Sequence, residues 1–211
     1  MPTLLCFGDS NTWGAVPMVD RDAPEPRMTR RWPVVAGEAL GWTVIEEGLP
    51  GRTTTRPCPV MGPHMDGRIG LFIALESHGP IDALAIMLGT NDFKAHFDMT
   101  AEDVARGAAL LLDIALSDEM QSRHAGFEPF LIAPPRPFEA GVFTEEFAGA
   151  GEKATGLADL YAKVASERDV AFFDAGSVIS CDPVDGIHFG AQAHVTLGTA
   201  VADFITSELA D

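Results

Sequence analysis

The chain has 211 residues, of which 46% are hydrophobic and 21% are charged, a composition typical of an ordered globular protein. This length accommodates one sizeable hydrophobic core, and we predict a single domain over residues 1–211. The formal net charge of −17 disfavours nucleic acid and anionic membrane surfaces as partners, because binding to either requires clustered Lys and Arg side chains.

The cysteine content and the N-terminal segment indicate the cellular compartment. Cys6, Cys58 and Cys181 include no close pair, so we expect no disulfide framework. The first residues lack the positively charged region of a secretory signal, and no apolar run approaches the roughly 20 residues that span a bilayer. We therefore expect a reduced, cytoplasmic protein with no membrane partner.

Short apolar runs alternate with segments of helical spacing along the chain. The runs predict buried strands at Leu4–Phe7, Val44–Ile45, Ala83–Leu88, Phe130–Ala133 and Val170–Phe173. The helical spacing predicts helices over Pro33–Leu40, Asp66–Ser77, Glu152–Arg168 and Ala191–Leu209, and a further helix that begins after Thr100, where Asp103 completes a capping pattern. This alternation predicts an α/β fold in which helices cover both faces of a parallel sheet.

Three polar or glycine-rich segments follow predicted strands. Ser10 follows the first strand, Gly51 the second and Asn91 the third. Because ligands bind at the carboxyl ends of parallel strands, we expect these residues, together with the Pro134 loop after the fourth strand, to converge on one edge of the sheet. His188 lies near the C-terminus, and the last loop must bring it to the same edge.

Ser10 and His188 are candidates for nucleophilic catalysis. A serine hydroxyl is a poor nucleophile unless a neighbouring base removes its proton, and histidine is suited to that role. Asp185 lies three residues before His188, a spacing that lets its carboxylate reach Nδ1 of the imidazole ring. By itself, Asp9-Ser10-Asn11 is equally typical of a turn or a helix N-cap, and Asp185-Gly186 is typical of a turn.

Asn91 and Gly51 are candidates for stabilising an oxyanion. The side-chain N–H of Asn91 and the backbone N–H groups of Gly51 and Ser10 are suitable donors. Taken alone, Thr90-Asn91-Asp92 and Pro50-Gly51 also fit ordinary turns.

Taken together, Gly8-Asp9-Ser10, Gly51, Gly89-Thr90-Asn91-Asp92 and Asp185-Gly186-Ile187-His188 resemble the four motifs of the SGNH, or GDSL, hydrolase family. The resemblance covers essentially the whole chain. It implies a flavodoxin-like three-layer α/β/α sandwich with a central five-stranded parallel sheet. It also implies that Ser10 is the nucleophile, that His188 is the base oriented by Asp185, and that Ser10, Gly51 and Asn91 form the oxyanion hole.

Further segments, including Val44–Leu49 and Phe173–Ser180, resemble a bacterial arylesterase subgroup of this family. The resemblance implies acyl transfer to alcohols, perhydrolysis with hydrogen peroxide, and a homo-oligomer such as an octamer. The chain departs from the subgroup at Pro50-Gly51, because the best-known member of the subgroup has a serine-alanine pair at these positions. Pro50 therefore alters the wall beside the oxyanion position.

We predict a serine esterase that hydrolyses small aryl or alkyl esters through an acyl-Ser10 intermediate. The following residues are assigned to the substrate pocket, although each also fits ordinary packing: Trp13, Pro50, Lys94, Phe138, Phe143, Phe147 and Ile187. The alternatives are a carbohydrate O-deacetylase and a flavodoxin-like ligand-binding module without catalysis. We expect no metal and no cofactor, because the sequence has no Cys-x-x-Cys, His-x-x-x-His, Walker or Gly-x-Gly-x-x-Gly pattern at a suitable place.

Overall fold

The structure, a computed structural model, describes residues 1–24 and 26–209. Its centre is a five-stranded, all-parallel sheet with the strand order β2-β1-β3-β4-β5. The strands are β1 (Thr3–Gly8), β2 (Thr43–Gly48), β3 (Ala83–Met87), β4 (Glu128–Ala133) and β5 (Ala171–Asp174). All five predicted strands are confirmed. The predicted run Val44–Ile45 covers only part of β2. This strand lies at the edge of the sheet, where the half-buried polar side chains of Glu46 and Glu47 are tolerated.

Helices cover both faces of the sheet, so the predicted three-layer α/β fold is confirmed. The helices are α1 (Ser10–Trp13), α2 (Trp32–Leu40), α3 (Gly67–Ser77), α4 (Ala101–Ala115), α5 (Asp118–His124), α6 (Ala150–Lys153), α7 (Leu157–Ser166) and α8 (Ala191–Glu208). Alternate strand residues enter two cores, since strand side chains have a period of two. Leu5 and Phe7 pack with α3, α4 and α7, whereas Leu4 and Cys6 pack with α2 and α8.

The helix predictions are confirmed except in two places. The Thr100–Asp103 capping box is present at the start of α4, as its sequence pattern predicted. The continuous helix predicted over Glu152–Arg168 is wrong, because Gly156 adopts a left-handed conformation, with φ of 79°, and separates α6 from α7. The short helix α5, of only 7 residues, has no counterpart among the predicted helices.

The strand order places the polar segments together. β1 lies between β2 and β3, so the chain leaves the sheet in opposite directions on its two sides, which creates a crevice at the carboxyl ends of these strands. Ser10, Gly51 and Asn91 follow β1, β2 and β3 at this edge, as predicted. No helix in the described part of the chain has the length and apolar character needed to cross a membrane.

Candidate active site

Ser10 is held at the junction between β1 and α1. Asp9 caps the helix, because its Oδ1 accepts a hydrogen bond of 2.9 Å from the Asn11 backbone N–H. Gly8 allows this tight exit, since a Cβ atom there would lie 2.7 Å from the Met87 carbonyl oxygen. Ser10 is buried and borders a cavity.

His188 lies on the loop between β5 and α8, and it joins Ser10 to Asp185 through hydrogen bonds. Its Nε2 is 3.1 Å from Ser10 Oγ, and its Nδ1 is 2.6 Å from Asp185 Oδ2. Phe143 packs edge-on against the His188 ring, with centroids 5.7 Å apart. The structure therefore brings Ser10 into contact with His188, which lies 178 residues later in the sequence, and His188 into contact with Asp185, which lies 3 residues before it.

Asp185 is fully buried and accepts four hydrogen bonds. Oδ1 accepts from the backbone N–H groups of Ile187 and His188 at 3.0 and 2.9 Å, while Oδ2 accepts from Met18 N–H at 2.7 Å and from His188 Nδ1. Burial by itself would raise the pKa of this carboxyl, but the hydrogen bond and charge of His188 and the backbone N–H groups together hold the pKa below its usual value. Asp185 is therefore ionised at neutral pH, as a partner of an imidazolium must be.

Asn91 and Gly51 border the same cavity as Ser10. Asn91 begins a short 3-10 helix, Asn91–Phe93, and its Nδ2 donates to Asp9 Oδ2 at 3.3 Å. Gly51 has a φ of 87°, which favours glycine, and a Cβ atom there would lie 2.6 Å from Met61 Sδ. The backbone N–H donors and the Asn91 amide thus come from the ends of three neighbouring strands.

The cavity beside Ser10 and His188 has a volume of about 360 Å³. It includes five of the residues that the sequence analysis assigned to the pocket: Pro50, Lys94, Phe143, Phe147 and Ile187. Its walls combine aromatic and aliphatic surfaces with a few polar groups, as in most small-molecule sites.

Trp13 and Phe138, which were also assigned to the pocket, do not line this cavity. Trp13 is the last residue of α1 and stacks with the guanidinium of Arg27, which lies 5.3 Å from the Trp13 ring centroid. Phe138 packs against the core beneath α8, and its backbone N–H donates to the Gly186 carbonyl. Trp13 is close to Ser10 in sequence and Phe138 is close to Phe143, but neither Trp13 nor Phe138 lines the cavity.

Sequence reasoning missed four residues that line the cavity: Met18, Arg21, Met61 and Glu146. Arg21 and Glu146 form an ion pair, and Lys94 Nζ lies 2.9 Å from Glu146 Oε1. Burial would raise the pKa of Glu146, but the hydrogen bonds and charges of Lys94 and Arg21 hold it below its usual value. These contacts join segments far apart in sequence, so no local pattern predicted them.

The described residues contain a second cavity of about 370 Å³, lined in part by Pro134–Arg136 and by the 156–159 segment at the start of α7. No residue of the Ser10–His188–Asp185 group borders this second cavity. Within residues 1–24 and 26–209, no group of three His, Cys, Asp or Glu side chains is arranged to hold a metal ion.

A buried Ser–His–Asp chain of hydrogen bonds beside a cavity, with N–H donors converging from adjacent strand ends, is the arrangement of serine hydrolases. The sequence profile of the GDSL-like lipase/acylhydrolase family matches residues 6–195, and the chain belongs to this family.

Solved structures place the chain among bacterial esterases. An aryl esterase from M. smegmatis, in its inhibitor-bound form, is 40% identical, with a TM-score of 0.91 over 98% of this chain and 99% of the other. A carbohydrate acetylesterase from Sinorhizobium meliloti is 36% identical, with a TM-score of 0.91 over the same shares. A putative arylesterase from Agrobacterium tumefaciens is 38% identical, with a TM-score of 0.86 over 98% and 99%.

No functionally curated protein sequence matches the chain. The family and these structural relatives nevertheless show that the chain is an ester hydrolase, and the alternative of a non-catalytic binding module is not supported.

Proposed function

We propose that the protein hydrolyses small carboxylic esters through an acyl-Ser10 intermediate. The observation that carries this proposal is the continuous hydrogen-bonded chain from Ser10 Oγ through the His188 ring to Asp185. His188 Nε2 removes the Ser10 proton as Oγ attacks the ester carbonyl carbon. Asp185 holds the proton on Nδ1, so that Nε2 is the free base, and stabilises the imidazolium that forms.

The first tetrahedral intermediate collapses when His188 donates its new proton to the leaving alcohol. Water then occupies the alcohol site, His188 takes its proton, and the resulting oxygen nucleophile attacks the acyl-Ser10 carbonyl. The second intermediate releases the carboxylic acid and returns the proton to Ser10 Oγ. Each step requires His188 to alternate between base and acid, a role to which the imidazole side chain is suited.

The negative oxygen of each intermediate is stabilised by the backbone N–H groups of Ser10 and Gly51 and by the side-chain N–H of Asn91. Support for this assignment comes from their common position around the cavity at the ends of β1, β2 and β3. Removal of one such donor typically lowers kcat by about 10²–10³-fold.

The volume and composition of the cavity favour a small acyl group such as acetyl. Pro50, Phe143, Phe147 and Ile187 supply apolar wall, and Phe143 lies directly against the His188 ring. Apolar walls near the acyl-enzyme limit the number of water molecules beside it, so alcohols and hydrogen peroxide compete as acceptors. Acyl transfer and perhydrolysis are therefore part of this proposal.

Ser10→Ala tests the nucleophile, with p-nitrophenyl acetate as substrate. We expect loss of nearly all turnover with an unchanged melting temperature, because a single buried oxygen is removed. Ser177→Ala, at an exposed serine that follows β5, is a matched control and should retain wild-type turnover. Turnover of Ser10→Ala close to that of the wild type would show that another residue carries the acyl group.

A second candidate activity is O-deacetylation of carbohydrates. The observation that favours it is the charged wall of Arg21, Lys94 and Glu146, which offers hydrogen-bonding groups to a hydroxylated alcohol. One of the structural relatives is described as a carbohydrate acetylesterase. A comparison of kcat/KM for acetylated sugars with that for p-nitrophenyl and alkyl acetates distinguishes the two activities, since a deacetylase favours the sugars.

We also infer that the protein forms a homo-oligomer. Its cytoplasmic location stays a prediction. Ile69, Phe72 and Ile73 lie on one face of α3 and are 44%, 42% and 61% exposed. A contiguous apolar patch of this kind is typical of protein–protein contacts. Light scattering should report a multiple of the chain mass for the wild type and a smaller species for Phe72→Glu. A monomeric wild type would contradict the inference.

A further inference from the structure

Asp9 is a buried carboxylate directly before Ser10, and each of its oxygens has a separate partner. The residue is only 2% exposed. Oδ1 accepts from the Asn11 backbone N–H at 2.9 Å, whereas Oδ2 accepts from Asn91 Nδ2 at 3.3 Å. Asp9 thus connects the segment that carries Ser10 to the segment that carries Asn91, although the two lie 82 residues apart in sequence.

Helix capping does not account for a buried carboxylate at this position. Serine caps a helix as well as aspartate does, and α1 has only 4 residues. Among the described residues, no Lys, Arg or His nitrogen lies within 4.0 Å of the Asp9 carboxylate, so its charge is not neutralised by a direct ion pair. A buried charge without such a pair is costly, and this cost implies a role for Asp9 beyond the cap.

The ionised form of Asp9 restricts the orientation of the Asn91 amide. Burial raises the pKa of Asp9 to about 6, opposed by the Asn11 N–H and by the charges of His188, Arg52 and Lys94. Above pH 7 the carboxylate is ionised and only accepts hydrogen bonds. Asn91 must then direct its NH₂ group toward Asp9, because the alternative orientation would place the Asn91 carbonyl oxygen against a negative charge. One N–H is committed to Asp9, and the second N–H of the same nitrogen remains for the substrate oxyanion.

We propose that Asp9 is a positioning residue, which fixes the side-chain amide of Asn91 so that its N–H group, and not its carbonyl oxygen, faces the tetrahedral intermediate. This inference rests on the proposed role of Asn91 as an oxyanion donor. A preorganised donor requires no reorientation during the reaction, and this preorganisation is the source of its catalytic effect. Without Asp9, the amide rotates between two orientations, only one of which stabilises the negative oxygen.

Asp9→Ser separates positioning from capping, because serine keeps the cap to Asn11 but is too short to reach Asn91. We expect kcat for p-nitrophenyl acetate at pH 8 to fall by about 10–100-fold, part of the 10²–10³-fold typical for complete loss of a donor. KM and the melting temperature should change little. Asp66→Ser is the matched control, since Asp66 caps α3 through an equivalent bond to Arg68 N–H, and its kcat should stay within about twofold of wild type.

A double-mutant cycle with Asn91→Ala tests whether Asp9 acts through Asn91. Asp9→Ser should cost nothing further in the Asn91→Ala background. The same loss in both backgrounds would overturn the proposal. So would a kcat of Asp9→Ser within threefold of wild type, or above it, since a gain would mean that the Asp9 charge chiefly opposes the oxyanion.

Asp9→Asn repeats the cycle if Asp9→Ser does not fold. Asparagine has the shape of aspartate but offers a single oxygen to two N–H donors, so its loss of kcat should also vanish in the Asn91→Ala background. Persistence of that loss would refute the proposal. Asn91→Ala alone reports on the underlying function: wild-type kcat in that variant would reject Asn91 as an oxyanion donor, whereas a large loss with additive Asp9 effects would reject only the positioning role.

Discussion

Replacing Asp185 with asparagine alters the hydrogen-bonded chain at its buried end without changing its shape. Both oxygens of Asp185 face N–H donors, two at each oxygen. The side-chain NH₂ group of asparagine replaces one of these oxygens, so it faces two N–H donors where an acceptor stood before. The arrangement with the least conflict lets it donate to His188 Nδ1, which moves the ring proton to Nε2. That tautomer presents an N–H to Ser10 Oγ and has no lone pair to accept the Ser10 proton.

The expected effect follows from this inversion of the tautomer. We predict a fall in kcat of about 10³–10⁴-fold, since loss of the acid partner of a catalytic histidine has an effect of this order. This fall corresponds to about 4–5.5 kcal/mol of activation free energy, at 1.36 kcal/mol for each tenfold. The melting temperature also falls, because at least one donor at the site, such as the Met18 N–H, loses its acceptor.

Initial rates of p-nitrophenyl acetate hydrolysis at pH 8, well below the melting temperature of the variant, measure this effect. Asp182→Asn is the matched control, because Asp182 lies in the same loop and accepts from the Val184 N–H without contacting His188 through its side chain. Its kcat should stay within threefold of wild type. A kcat of Asp185→Asn within tenfold of wild type would refute the reasoning about the tautomer.

Three further predictions concern Gly51, Asp92 and Lys94. Gly51→Ala should lower kcat at least tenfold at nearly constant KM, because alanine is strained at a φ of 87° and its Cβ atom would meet the Met61 side chain. An unchanged kcat would show that the Gly51 N–H is not an oxyanion donor. Burial raises the pKa of Asp92 to about 7, so this group stabilises the fold below pH 4 and loses that contribution as the pH rises through 7. Urea titrations measure the free energy of unfolding of Asp92→Asn and of the wild type. The value for the variant minus that for the wild type should therefore increase between pH 4 and 8, and a constant difference would contradict the raised pKa of Asp92. Lys94→Met removes one cation from Glu146, and it should lower kcat/KM for acetylated sugars more than for p-nitrophenyl acetate; an equal effect on both would argue against a sugar subsite.

The positions of the reactive residues could be predicted because they depend on topology. Ser10, Gly51 and Asn91 each follow a strand, and a parallel sheet with helical crossovers brings such positions to one edge. The Asp185–His188 contact was predictable for a different reason, since a separation of three residues within one turn fixes which groups meet.

The remaining walls of the site could not be predicted, because their contacts depend on how the three loops after α1, β2 and β4 fold over the cavity. Met18 and Arg21 reach the site only because the segment after α1 crosses it, where Met18 N–H binds Asp185 and Arg21 binds Glu146. Conversely, Trp13 is close to Ser10 in sequence, but α1 directs its side chain away from the cavity. Proximity in sequence is thus a poor guide to cavity walls.

Covalent trapping of Ser10 tests the central claim most directly. A fluorophosphonate reacts with a serine that a neighbouring base activates, and it leaves a phosphonyl group on Oγ. Intact mass and peptide mapping should show one adduct for each chain, located on Ser10, with esterase activity lost in proportion to labelling. Full labelling of a different residue, or retention of activity in chains labelled at Ser10, would contradict the assignment of Ser10 as the nucleophile.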